Sequence, residues 1–277
     1  MITDSQTNFL YLADALPEDY PGFFHRFKKI LTDQNISSVL LPSTKDVWAV
    51  DYMPIQVSEE KFIQFKYEPD YLKEYSHLRT NPQEVLSKIG IEAEPSEINL
   101  DGGNVVKASD KVIMCDKIFH ENPKMSEKEI IKELKDRFEV DKIIFVPWDT
   151  DDFTGHADGM VRFIDNDTVL INERSKYGNA KFEISLRMAL HNAGLEYKEL
   201  PCYLPDDPTM VSARGLYLNY LQMEHIIIMP IYNLKPDEVA YKVLSEVFRG
   251  YRIKTVESSE LAREGGVLNC ISWNIKE

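Results

Sequence analysis

Arg263-Glu264-Gly265-Gly266-Val267-Leu268-Asn269-Cys270-Ile271-Ser272-Trp273, near the end of the 277-residue chain, repeats a pattern met earlier in Ile98-Asn99-Leu100-Asp101-Gly102-Gly103-Asn104-Val105-Val106. In both stretches an acid precedes a glycine pair, and the pair leads into residues of strand character. Helices and short strand pairs alternate along the rest of the chain. A weak repeat of strand-strand-helix units suits a closed, propeller-like α/β arrangement with a site on its axis. A doubly wound parallel sheet fits the same alternation. Because a glycine pair lets a ligand or a second segment approach closely, Cys270 is a candidate for presentation rather than packing. Alone, the stretch reads rather as a small apolar cysteine in a buried C-terminal strand.

Composition narrows the function classes. Apolar residues make up 43% and charged residues 28%, ordinary values for a globular chain. No linker rich in Pro, Gly or Ser interrupts it, so a single domain over residues 1-277 is the simpler reading. A net charge of -14 argues against nucleic acid and favours the approach of small cations. No apolar run nears the roughly 20 residues that cross a bilayer, and the start lacks the basic and apolar regions of a signal peptide. The expectation is a cytoplasmic protein without membrane partners. Three cysteines, Cys115, Cys202 and Cys270, are too few and scattered for a disulfide framework, and none pair at zinc-ligand spacing. Neither a structural metal nor a disulfide bridge is expected.

Hydrophobic spacing predicts helices over 19–31, 82–89, 126–138, 179–193 and 236–248. The fourth carries apolar Phe182, Ile184, Leu186, Met188 and Leu190, and the third opens on a capping box, Ser126 with Glu129. Strands are expected at 37–41 (short and buried), 60–67 (half-buried), 111–115, 142–146, 167–172, 216–221 paired with 225–230, and in the run leading to Val256. Residues 201–208 read as a loop.

Four further stretches hold candidate chemistry. Lys45-Asp46-Val47-Trp48-Ala49-Val50-Asp51 sets two acids around an indole, which suits a planar cation, though its ends are also ordinary strand-to-turn chemistry. Asp101-Gly102 is a strong hairpin-turn signal as well as an acid at the mouth of a glycine pair. In Gly155-His156-Ala157-Asp158, an extended backbone would turn His156 and Asp158 to one face, a proton-transfer group beside a carboxylate, though taken alone the motif reads rather as a solvated His-Asp pair at a loop end. Cys115, inside a plausible strand, reads as core.

Taken together, Trp48-x-x-Asp51-x-x-Pro54, Asp101-Gly102-Gly103-Asn104, Gly155-His156-x-Asp158, Tyr217-x-Asn219-Tyr220 before Pro230, and Gly265-Gly266-x-x-Asn269-Cys270 resemble the agmatine deiminase and bacterial peptidylarginine deiminase family of the guanidino-group-modifying superfamily. Each motif is weak alone; their order and spacing from about residue 45 to the C-terminus is specific. The resemblance implies a pseudo-fivefold α/β propeller and hydrolysis of a terminal guanidinium to a ureido group and ammonia, without metal or organic cofactor. It implies that Cys270 attacks, that His156 moves protons with Asp101 beside it, and that Asp51 and Asp158 grip the guanidinium, with Trp48 and Asn104 completing the substrate-binding set. The expected partner is a small cationic guanidino compound, agmatine first, then arginine or peptidyl-arginine; homo-oligomerisation is left open. Amidino transfer through the same intermediate and a non-catalytic guanidine-binding relative are the alternatives.

Physical chemistry agrees with that allocation. A guanidinium presents planar, forked donors that match carboxylates. A neighbouring imidazolium or bound cation lowers a thiol from its ordinary pKa of about 8.5. Three positions depart from the family pattern. Val50 stands where an Arg is usual, and Asn269 where a His is usual. Asp101 stands where Glu is common, which predicts a longer or water-mediated contact with His156.

Overall fold

The computed structural model describes residues 1–150, 152–173, 180–203 and 211–277. Its strands fall into five separate three-stranded sheets rather than one doubly wound sheet. In chain order the strands are β1 (Phe9–Ala13), β2 (Ser37–Leu41), β3 (Ile55–Gln56), β4 (Phe62–Lys66), β5 (Glu94–Asn99), β6 (Val106–Lys107), β7 (Lys111–Cys115), β8 (Lys142–Val146), β9 (Val161–Phe163), β10 (Thr168–Glu173), β11 (Glu196–Pro201), β12 (Leu221–Met223), β13 (Ile226–Ile231), β14 (Arg252–Glu257) and β15 (Ser272–Ile275). Five helices complete the units: α1 (Pro21–Asp33), α2 (Pro82–Ile89), α3 (Glu127–Phe138), α4 (Ala180–Ala193) and α5 (Pro236–Val247).

Every sheet follows one rule. A short strand pairs antiparallel with the middle strand, and the middle strand pairs parallel with a third after a helical crossover, as a parallel connection requires. Thus β3-β4-α2-β5, β6-β7-α3-β8, β9-β10-α4-β11 and β12-β13-α5-β14 are successive copies. The fifth copy is made by both ends of the chain: β15 pairs antiparallel with β1, Phe9 opposite Ile275 and Leu12 opposite Ser272, and β1 runs parallel to β2 through α1. The repeat is therefore strand-strand-helix-strand, one strand longer than the sequence pattern indicates, and the fold is the pseudo-fivefold α/β propeller.

Helix sequence explains the packing. In α1, Pro21 opens the first turn, where its missing N–H costs nothing, and Phe23, Phe27 and Leu31 recur every four residues to meet Leu10 and Leu12 of β1. In α3, Ser126 accepts from the Glu129 amide while Glu129 returns a bond to Ser126, and Ile130, Leu134 and Phe138 cover Val112 and Met114 of β7. In α4, Phe182, Leu186 and Leu190 do the same for Val169 and Ile171. Each such fully buried Leu or Phe is worth roughly 1.5–3 kcal/mol, so each sheet holds its helix by one apolar stripe.

Several sequence expectations shift. Val39 and Leu40 of β2 are exposed, because β2 is the outer strand of its sheet and only Leu41 is buried. Conversely, β4 is a middle strand with both faces covered, so its alternating pattern does not leave it half-buried. Ile184 and Met188 lie on the solvent face of α4, out of step with its buried stripe. Asn179, predicted to begin that helix, and residues 204–208 of the predicted loop lie outside the described residues. The strand expected at 216–221 begins only at Leu221; residues before it form turns that bury Tyr217 and Tyr220. The described helices include none long and apolar enough to cross a membrane.

Candidate active site

The repeat positions the site. Just ahead of each short inner strand the chain turns, helically before β3, β6 and β9, and at each of the five turns stands a polar side chain that is less than one tenth exposed: Asp51 before β3, Asp101 before β6, His156 and Asp158 before β9, Asn219 before β12, and Asn269 with Cys270 before β15. Asp51 lies in the turn Ala49–Tyr52, and Asp101 caps the turn Gly102–Asn104. His156 caps the turn Ala157–Gly159, which contains Asp158. The segment from Gly155 is therefore not one extended run; strand geometry begins only at Val161, and a tight turn brings imidazole and carboxylate together instead. The two acid-Gly-Gly stretches also differ, since Asp101 is buried while Glu264 faces solvent.

His156 sits between two carboxylates. Its Nε2 is 3.0 Å from Asp101 Oδ2 and its Nδ1 3.5 Å from Asp51 Oδ1. The Asp101 contact is direct, against the expectation for so short an acid. Tyr71, which no sequence motif singles out, donates from its hydroxyl to the same Asp101 oxygen at 2.7 Å. Asp51 accepts from the Gly103 amide at 3.1 Å. A Cβ on Gly103 would stand 2.6 Å from both Asp51 Oδ1 and His156 Nδ1, so glycine is what lets the three groups meet.

Cys270 is held from another side. Asn219 Nδ2 donates to its sulfur at 3.2 Å, and Asn219 Oδ1 accepts the amides of Asn269 at 3.0 Å and Cys270 at 3.3 Å. Asn219 belongs to the quoted Tyr217-x-Asn219-Tyr220 pattern but received no role, because reading 216–221 as a strand hides the turn that aims it. Asp158 Oδ2 lies 3.9 Å from the sulfur and accepts from Asn269 Nδ2 at 2.6 Å, so Asn269 orients this carboxylate. Val50 uses its main chain: its N–H donates to Cys270 O, and its own carbonyl lies against Gly102. Trp48 packs its indole on Gly266 beside Cys270 Cβ. Asn104 spends its amide on the backbone of Cys115, accepting at 2.7 Å and donating at 3.3 Å, and so braces the turn after Asp101. Cys115 itself is buried among apolar residues, as expected of core. Asp46 accepts from the Trp48 amide, and burial pushes its carboxyl up to about 7, with Asp101 adding to the rise.

Electrostatics tie these groups together. Burial, the largest influence, opposes the charge on His156, but Asp51, Asp101 and Asp158 outweigh it and push the imidazole up to about 10. Burial raises Asp51 well above the carboxylate range, with His156 opposing and Asp101, Asp158 and Asp46 adding to the rise. Asp158 is raised by burial, against the pull of His156 and Arg162. The Cys270 thiol is pushed well above its ordinary value by burial and by Asp158 and Asp51, which the Val267 and Asn219 hydrogen bonds only partly offset. Asp51 and Asp158 thus act on both the sulfur and the imidazole. The arrangement is a buried acidic cradle with a thiol and an imidazolium at its edges, and a planar cation is the species that would neutralise it.

Comparison with known proteins accords with this geometry. The chain is 28% identical to the agmatine deiminase of Medicago truncatula over 213 residues, 65% of this chain and 55% of that protein. It is 23% identical to the agmatine deiminase of Pseudomonas aeruginosa over 208 residues, again 65% and 55%. It therefore matches little more than half the length of these curated relatives. Among solved structures, the C. jejuni agmatine deiminase superposes with a TM-score of 0.82 at 19% identity, covering 100% of this chain and 95% of that one. The DDAH of Pseudomonas aeruginosa superposes at 0.60 and 12% identity, covering 98% and 100%. These likenesses establish the shared fold. The family model described as Porphyromonas-type peptidyl-arginine deiminase matches residues 19–275, a span that holds every converging side chain, and the chain belongs to that family.

Proposed function

We propose that residues 1–277 form one catalytic domain, a cytoplasmic deiminase that hydrolyses the terminal guanidinium of agmatine to a ureido group and ammonia. The observation that carries this reading is the convergence of Cys270, His156, Asp51, Asp101 and Asp158, each buried, from four of the five repeated turns. Asp51 and Asp158 hold the guanidinium through charge-assisted bonds. Its positive charge cancels their push on Cys270, so thiolate forms where the cation is bound. Sulfur then bonds to the guanidinium carbon. Protonated His156, steadied by Asp101, gives its proton to the departing nitrogen, and the C–N bond breaks to release ammonia. Water attacks the resulting thiouronium carbon as neutral His156 takes one of its protons; the C–S bond then breaks to return the thiolate, and the remaining hydroxyl proton leaves to solvent as the ureido C=O forms. Trp48 walls the pocket, while Asn104 and Asn219 keep the turns in place. Relatives named agmatine deiminase support agmatine as first choice, and the family name brings in peptidyl-arginine as second.

The test is a panel of agmatine, arginine, methylated arginine and an arginine peptide, with ureido product and ammonia both measured. Agmatine should lead, and Cys270→Ala should abolish release. Undiminished turnover in Cys270→Ala, or guanidine binding by calorimetry with no product from any compound, would remove the reading.

A further inference from the structure

One buried cation takes no part in the scheme above. Lys117 opens the short helix Lys117–Glu121 directly after β7, and its side chain is 1% exposed. Its Nζ lies 2.8 Å from Asp70 Oδ1, 3.1 Å from Phe153 O, 2.9 Å from Thr154 O and 3.6 Å from Glu121 Oε1. The rings of Tyr71 and Trp148 flank it at 5.3 and 5.5 Å. An ammonium so enclosed persists only because its charge and donors are matched.

The segments it joins are the two that flank the His156–Asp101 pair. Asp70 precedes Tyr71, whose hydroxyl bonds the same Asp101 oxygen that meets His156 Nε2. Thr154 lies two residues before His156, and at the glycine between them the Lys117 stem passes so close that a Cβ on Gly155 would stand 2.7 Å from Lys117 Cδ. Phe153, whose carbonyl also binds the ammonium, stacks edge-on against Tyr71 at 5.5 Å and lies beside Gly265.

We propose that Lys117 is a positioning residue that fastens the Tyr71 turn to the Phe153–Thr154 run and so fixes the geometry of His156 against Asp101. It touches no reacting group. The inference rests on the deiminase reading for its kinetic consequence, but its structural claim can be read without turnover.

The experiment uses Lys117→Met in the full chain, with two readouts. The first is the His156 ring titration, followed by NMR without substrate. Deleting a nearby positive charge would by itself raise the imidazole pKa, whereas losing the Asp101 contact lowers it. Positioning predicts a net fall; a rise or no change overturns it. The second is kinetic: kcat for agmatine falls about tenfold or more while KM stays within about twofold, as misalignment without loss of the carboxylate grip requires. Unchanged kcat overturns the proposal. Should Lys117→Met not fold, Asp70→Ala at a one-third-exposed side chain is the second variant, with kcat lowered several-fold at constant KM expected, and wild-type kcat overturning it. A wild-type protein inactive on every guanidine would end the deiminase reading, while the NMR result would still decide the role of Lys117.

Discussion

Asn219 grips Cys270 at both ends, donating to its sulfur and accepting the amide of the same residue. One side chain thereby fixes the backbone and the thiol together. Asn219→Ala should lower kcat by roughly 10²-fold, the loss typical of a positioned donor. It should also cost about 1–3 kcal/mol of stability, since the buried Cys270 amide loses its acceptor and the Asn269 amide keeps only the Asn219 carbonyl. Ammonia-release kinetics and urea unfolding measure both, and wild-type turnover in this variant would contradict the role.

Gly103→Ala tests the closeness of the site. The new methyl would meet Asp51 and His156 at 2.6 Å each, so the pair must part. Activity is expected to drop by more than about 10²-fold, as a misplacement near 1 Å does, with the fold retained by circular dichroism. Activity near the parent level would show that the turn yields easily.

The raised carboxylates predict proton release on binding. Burial raises the Asp51 carboxyl and the Cys270 thiol in the empty site, and a bound guanidinium opposes both rises, so binding favours loss of protons from these groups. Calorimetry in buffers of different ionisation enthalpy should register net release; an uptake would contradict the assignment. In turnover, kcat/KM should rise with pH as the acids and the thiol ionise and fall near pH 10, where His156 loses the proton owed to the leaving nitrogen.

The same imidazole links stability to pH. Its folded pKa of about 10 exceeds the unfolded value of about 6.5. Its contribution is complete below about pH 6.5 and disappears as pH rises through about 10. Unfolding measurements should therefore show the gap between wild type and His156→Gln widest in mild acid and closing toward pH 10. A gap that widens with alkalinity would refute this.

Helix limits were readable because their signals are local. Asn81 accepts from the Gln83 amide and Gly90 takes the left-handed cap of α2, where hydrophobic spacing places its ends. Ring closure was not readable, since nothing local in 272–275 states that it pairs with 9–12. Exposure of Val39 and Leu40 depends on β2 being the outer strand, a property of the sheet rather than of its own residues. At the site, Cys270, His156 and the acids stood out because their chemistry is distinctive and their order matched a family pattern. Tyr71 and Lys117 did not. Each acts through a fold-dependent contact from a segment with no motif, and a lysine after a strand reads as surface until burial is seen.

The ring is shut by the strand that follows Cys270, laid against β1 at the other end of the sequence. Four of the five turns are thus made before the sulfur exists, and the last sheet cannot form until it does. A chain cut before Cys270 therefore lacks both the thiol and the strand that completes the fifth sheet. One short segment thus supplies both the sulfur and the seam of the ring.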